Sequence, residues 1–191
     1  MQPVSLHFIS AEQLLQASVT LALQVVDSGF RPQVLLALWR GGTPVGAAMH
    51  EVFVFLGRPC RHAVISSQSY TAPGQQDEVE LAGLERLSGL LQDQQRILLV
   101  DDVFDSGRTM QAVVNAVLDN SGPVAPTIRI ATPWYKPASN RTALAPDYHL
   151  QVTEDWLVFP HELSGLADRD LAQKPGFDEL LPQLLARRDR C

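Results

Sequence analysis

The chain has 191 residues, a formal net charge of −6, 46% hydrophobic residues and 19% charged residues. That allows one core of ordinary size and offers none of the basic surface on which nonspecific nucleic-acid binding depends. No apolar run reaches the ~18 residues of a membrane span, the start lacks a charged-then-apolar leader pattern, and Cys60 and Cys191 have no metal-ligand spacing. A cytoplasmic protein with free thiols and neither nucleic-acid nor membrane partners is the expectation.

Ser10, with Gln13 three residues on, has the spacing of a capping box. Apolar residues at 14, 15, 17, 19, 21, 22, 25 and 26 then make a broad helical stripe that Gly29 can stop. Val34-Leu35-Leu36-Ala37-Leu38, bounded by Pro32 and by Arg40-Gly41-Gly42, predicts a buried strand of a parallel sheet. Pro44 sits where a helix can begin, and mostly apolar residues continue to Leu56. The Arg40-Gly41-Gly42 turn is a candidate anion site, since two glycines allow close backbone approach and an arginine supplies a fork of donors. A tight turn beside a solvated arginine is the plainer alternative.

Ala63-Val64-Ile65 predicts the next strand. Residues 66–77 are polar and poor in packing side chains, which reads as a long loop, either an active-site lid or a plain flexible connection. Residues 79–81 predict a short returning strand, and Leu84, Leu87, Leu90 and Leu91 a helix.

Residues 97–109 carry the densest chemistry. Ile97-Leu98-Leu99-Val100 predicts a buried strand, and it ends in Asp101-Asp102. Val103-Phe104-Asp105-Ser106-Gly107-Arg108-Thr109 then leads into a helix that runs to about Asn120 before Gly122-Pro123. In an open parallel sheet, ligands bind beyond the carboxyl ends of strands, where both acids fall. Carboxylates suit ribose hydroxyls and Mg²⁺, and helix-start N–H groups with a glycine suit a phosphate. Asp105 would repel that phosphate, so it is either a helix cap or a proton acceptor for a neighbouring ligand group.

Beyond the motif, residues 127–132 predict a strand, with Trp134-Tyr135-Lys136-Pro137 just past it. Residues 147–152 alternate like a strand, and residues 155–162 are aromatic, with Pro160 opposing a regular helix. The tail from 166 to 191 predicts two helical pieces separated by Pro175-Gly176, with Pro182 limiting the second. Strands alternating with helices, and no internal repeat or linker, argue for one α/β domain with a mostly parallel sheet flanked by helices.

Residues 97–109 closely resemble the signature of the type I phosphoribosyltransferases: four apolar residues, two acids, two variable positions, an acid, and small hydroxyl or glycine residues. The flanking pieces resemble the 6-oxopurine branch of that family. The resemblance implies a small hood subdomain, from residues 1–12 and 133–165, beside the main domain. It implies transfer of phosphoribosyl from phosphoribosyl pyrophosphate to hypoxanthine, guanine or xanthine. Asp105 would accept the proton of purine N7, and Asp101, Asp102, Ser106, Gly107, Arg108 and Thr109 would hold the phosphoribosyl group. Arg40, Gly41 and Gly42 would form the pyrophosphate loop, and Ser69 and Tyr70 would belong to a mobile lid. Lys136, Trp156 and Val158 would bind the purine, and Asp101, Asp102 and Glu162 would serve Mg²⁺. Arg108 stands where glycine or lysine is common, and Glu162 where Asp is common. A homodimer or homotetramer is expected. The alternatives are a phosphoribosyl pyrophosphate-sensing regulator of the same fold and a transferase for another base.

Overall fold

The structure is a computed structural model that describes residues 6–70, 78–83, 90–91 and 95–188. By contacts the chain divides into a larger unit, Ala17–Glu154, and a smaller one made of Met1–Gln16 with Asp155–Cys191. Residues 133–154 cluster with the larger unit.

The larger unit is built on a five-stranded sheet of order β4-β3-β2-β5-β7. Its strands are β2 (Val34–Trp39), β3 (Arg61–Tyr70), β4 (Glu78–Ala82), β5 (Arg96–Val100) and β7 (Thr127–Ala131). Pairs β2–β3, β2–β5 and β5–β7 are parallel, and only the edge strand β4 runs antiparallel. The two apolar runs that the sequence singles out therefore lie side by side, with Leu36 opposite Leu99 and Ala37 opposite Val100. Ile97 through Val100 are fully buried, as a strand covered on both faces requires. Helices α1 (Ala11–Asp27), α2 (Gly42–Phe55) and α3 (Arg108–Asp119) follow the expected stripes. The capping box forms: Ser10 N–H donates to Gln13 Oε1 at 2.8 Å, and Gln13 N–H to Ser10 Oγ at 3.1 Å. Gly29 stops α1 with a φ of 79°, in the left-handed region that favours glycine. A second sheet, β6-β8-β9, joins Val103–Phe104, Trp134–Tyr135 and Gln151–Val152 in parallel.

In the smaller unit β1 (Leu6–Phe8) pairs in parallel with β10 (Trp156–Val158). Short α4 (Asp168–Leu171) and α5 (Leu180–Arg188) follow. Buried Lys174 donates from Nζ to the Phe159 carbonyl oxygen at 2.5 Å, tying the tail to the strand segment.

Three expectations change. Residues 66–70 are not loop: they extend β3 and pair with β4 from Ser66 opposite Ala82 to Tyr70 opposite Glu78. Ladder bonds are made by backbone, so a polar run at a sheet edge forms a strand as readily as an apolar one. Of residues 147–152 only Gln151–Val152 is strand, because the Asp147 carboxylate is drawn to the Ile130 N–H (2.8 Å) and to Arg129. Pro182 does not end the second tail helix but lies in its first turn, where a missing N–H breaks no intrahelical bond. The expected lid segment 71–77 and most of the helix expected at 84–91 lie outside the described residues.

Candidate active site

Two strand-to-helix turns meet at the carboxyl ends of β2 and β5. The first, Arg40-Gly41, follows a cis peptide bond between Trp39 and Arg40. A Cβ at Gly41 would overlap the Asp102 carboxylate, and one at Gly42 would overlap the Val100 carbonyl oxygen. These glycines are therefore demanded by the approach of the neighbouring turn, with Gly41 itself in ordinary helical conformation (φ −63°). Arg40 is exposed.

The second turn carries the acids. Asp101 accepts hydrogen bonds from the N–H of Asp102 at 3.0 Å and from the N–H of Gly42. Burial, and after it the adjacent Asp102 carboxylate, push the Asp101 carboxyl well above the usual carboxylate range. Asp101 thus faces the crevice and Asp102 faces the glycine turn. That crevice, about 80 Å³, is lined by Asp101, Val103, Phe104, Asp105, Ser106, Gly107, Thr109 and Met110.

Gly107 caps α3 with φ 75°, and a Cβ there would stand 2.6 Å from Thr142 Oγ1 and 2.9 Å from the Phe104 ring. Both the backbone conformation and the space select glycine. The N–H groups of the first helical turn have no intrahelical acceptor and open toward this end of the loop. Ser106 and Thr109 line the crevice, whereas Arg108 is exposed and absent from the lining. Arg108 N–H leans on Ser106 Oγ at 3.4 Å, which helps set the loop.

Lys136, buried, holds Nζ 3.2 Å from Asp105 Oδ2, while the Asp105 side chain is half exposed. The lysine is fixed by its backbone, because its N–H donates to the Phe104 carbonyl oxygen at 2.9 Å across β6 and β8. The structure thus brings Asp101, Asp105, Ser106, Gly107 and Thr109 into one crevice and adds Lys136 to Asp105. Ser69 and Tyr70 end β3, and their side chains lie outside the described residues.

The residues of the smaller unit expected to bind the purine behave differently from one another. Trp156 is 56% exposed on β10. Val158 is buried, and its carbonyl oxygen accepts the Ile9 N–H at 2.9 Å, so its backbone is engaged in the strand pair. Glu162 Oε2 accepts the Phe159 N–H at 2.9 Å, a local turn contact; burial lowers the Lys174 pKa, and the Glu162 charge opposes that only in part.

The residues that sequence reasoning missed are Asn140, Arg141 and Thr142. The Arg141 N–H donates to the Ser106 carbonyl oxygen at 2.9 Å, and Asn140 Oδ1 accepts from the Thr142 N–H (2.9 Å) and hydroxyl (3.0 Å). They brace the loop from outside. An Asn-Arg-Thr run signals a turn, but nothing local tells which element that turn will touch.

The chain is similar to known proteins over most of its length. The chain is 29% identical over 154 residues to a xanthine-guanine phosphoribosyltransferase of Desulfotalea psychrophila, covering 80% of this chain and 83% of that protein. A purine phosphoribosyltransferase structure from Pyrococcus horikoshii superposes with a TM-score of 0.65 at 26% identity, over 85% of this chain and 97% of that one. The fold is also that of a Helicobacter pylori xanthine-guanine-hypoxanthine phosphoribosyltransferase, with a TM-score of 0.61 at 19% identity over 96% of this chain and 99% of that one. Residues 9–166 match the phosphoribosyl transferase domain family. The chain belongs to the phosphoribosyl transferase domain family.

Proposed function

We propose that this protein is a purine-salvage pentosyltransferase that joins a 6-oxopurine base to the phosphoribosyl group of phosphoribosyl pyrophosphate, releasing pyrophosphate. The observation that carries the reading is the Lys136–Asp105 pair, 3.2 Å apart, beside a helix-start loop ending in left-handed Gly107. A cation and a carboxylate at that spacing match the neighbouring O6 and N7 of a 6-oxopurine: one acceptor, one N–H.

The 5′-phosphate sits on residues 105–109, where the loop N–H groups and the Ser106 and Thr109 hydroxyls donate to it. Asp101 and Asp102 hold the ribose hydroxyls. The backbone of Arg40-Gly41-Gly42 receives the pyrophosphate. Asp105 accepts the N7 proton, N9 forms the bond to C1 of the ribose, and the bond from C1 to the pyrophosphate oxygen breaks with its electron pair. Lys136 selects a 6-oxo group, because an ammonium cannot pair with the amino group of adenine. Trp156 supplies an aromatic face for the base. Val158 and Glu162 remain further candidates for the base and for Mg²⁺, and Ser69-Tyr70 lead into the lid.

Two adjacent carboxylates, Asp102 buried and Asp101 lining the crevice, form a hard-oxygen donor set that fits Mg²⁺ held jointly with a substrate pyrophosphate rather than in an all-protein cage. Asp101 and Asp102 would hold it, and when bound it supplies charge neutralisation for the departing pyrophosphate. The protein acts in the cytoplasm as a homodimer or homotetramer.

The test is pyrophosphate release from phosphoribosyl pyrophosphate and Mg²⁺ with a panel of hypoxanthine, guanine, xanthine, adenine and uracil. Turnover confined to the 6-oxopurines is expected, with Lys136→Ala raising the KM for the base and eroding discrimination against adenine. Turnover with adenine or uracil instead would assign another base. Tight phosphoribosyl pyrophosphate binding without turnover on any base would make the protein a sensor.

A further inference from the structure

A cluster of positive charge lies at the other end of the sheet. Arg31, Arg58, Arg61 and Arg96 line one cavity of about 380 Å³ in the larger unit. Arg61 and Arg96 are the first residues of β3 and β5, so the cavity sits at the amino ends of strands whose carboxyl ends carry the active site. Among the described residues, no Asp or Glu lines the cavity and none of these arginines makes an ion pair.

This arrangement is costly in a chain with a net charge of −6, where acidic partners are plentiful and like charges gathered around one cavity repel. It is also built. Arg96 Nε donates to the Arg31 carbonyl oxygen at 2.6 Å, and Gln33 ties both strand starts through Gln33 N–H to Arg96 O (2.8 Å) and Arg61 N–H to Gln33 O (3.0 Å). The floor is apolar, with Phe53 buried and Phe30 half-buried. Guanidinium forks match phosphate oxygens two at a time, and several of them exceed what a single phosphate can use. The volume falls in the ~300–1,000 Å³ range of small-molecule sites.

We propose that this cavity is a second ligand site, which binds an organic polyphosphate: two or more phosphates on the arginine rim and a flat body against the apolar floor. It is separate from the transferase crevice and does not depend on the assigned activity.

Cys60 lines the same cavity, and burial pushes its thiol up to about 11, so its slow alkylation is a local reporter. In a Cys191→Ser background, maleimide labelling of Cys60 is followed by mass spectrometry with ATP, inorganic tripolyphosphate or adenosine, all without divalent metal. ATP and tripolyphosphate should each slow labelling saturably, by about tenfold once the anion stands at ten times its Kd, and added salt should weaken the effect. Protection should vanish in Arg58→Gln/Arg61→Gln with the unfolding transition unchanged. The single Arg31→Gln variant should raise the half-protecting concentration roughly tenfold, the scale of one charged hydrogen bond. Thr109→Val, which alters only the crevice, should leave protection intact. The proposal is overturned by absent protection, by equal protection in the arginine variants, by protection from adenosine alone, or by protection lost in Thr109→Val.

Discussion

After Trp39, β2 reaches α2 through only Arg40 and Gly41; after Val100, β5 takes residues 101–107 to reach α3. Both turns leave parallel strands that are buried except at one end residue, Trp39 in β2 and Arg96 in β5, and both end on a glycine at the start of a helix. The short turn is shaped by its neighbour: its glycines have unexceptional torsions, and what excludes a side chain is Asp102 and the Val100 carbonyl across the sheet. The long turn is shaped by itself and by its own bracing loop, with Gly107 left-handed above Phe104 and against Thr142. The difference separates two reasons for glycine, close approach and backbone conformation, and it divides the labour. The long turn has room for side-chain chemistry at Asp101, Asp105, Ser106 and Thr109, whereas the short one offers mainly backbone.

If that division holds, Asp105→Asn should have the largest effect, lowering kcat on the best purine by at least ~100-fold, the lower scale of general-base catalysis. Binding of phosphoribosyl pyrophosphate should change little, which calorimetry would show; a variant within a few-fold of the parent would remove chemistry from the long turn. Gly41→Ala comes next. A methyl driven into the Asp102 carboxylate displaces both turns at once, and misplacement on the scale of 1 Å can cost up to ~100-fold in rate. Its steady-state kinetics should show that loss with little change in melting temperature. Gly107→Ala should invert the pattern, destabilising the fold by about 1–2 kcal/mol from the left-handed torsion plus the crowding of Phe104 and Thr142, measurable by denaturant unfolding. Equal stability losses in the two alanine variants would erase the distinction.

The smallest effect concerns the carboxylate shared by both turns. The folded-state pKa of Asp101 is raised above its unfolded value, through burial and then Asp102, so the folded state binds the proton more tightly. Its charge therefore destabilises the unliganded fold above the raised pKa, and that penalty disappears as pH falls below the unfolded value near ~3.9. Asp101→Asn should accordingly raise the melting temperature at neutral pH. The gain should fade on acidification, while turnover drops. A gain independent of pH would mean that the raised pKa is not its source.

Much of this was legible in the chain. Residues 34–38 and 97–100 had to be buried strands, because unbroken apolar runs of that length fit a sheet covered on both faces. The Ser10–Gln13 capping box and the Gly29 stop followed from side-chain chemistry within one helical turn. The order of acids, hydroxyls and glycine in residues 101–109 pointed to a strand-end phosphate site, since each group acts on its immediate neighbours. Residues 66–70 read as loop but extend β3 through pairing with the edge strand β4, which no local pattern reveals.

The sequence by itself determined the sheet-building runs, the helix ends and the candidate reactive groups, all of which depend on patterns a few residues long. Only the tertiary structure decided that Asp101 faces the crevice while Asp102 abuts Gly41, that Lys136 meets Asp105 across 31 positions, that Asn140 to Thr142 brace the loop, and that arginines from separate segments share one cavity. Those pairings join residues whose separation along the chain carries no local signal, and they exist only once the strands lie in register.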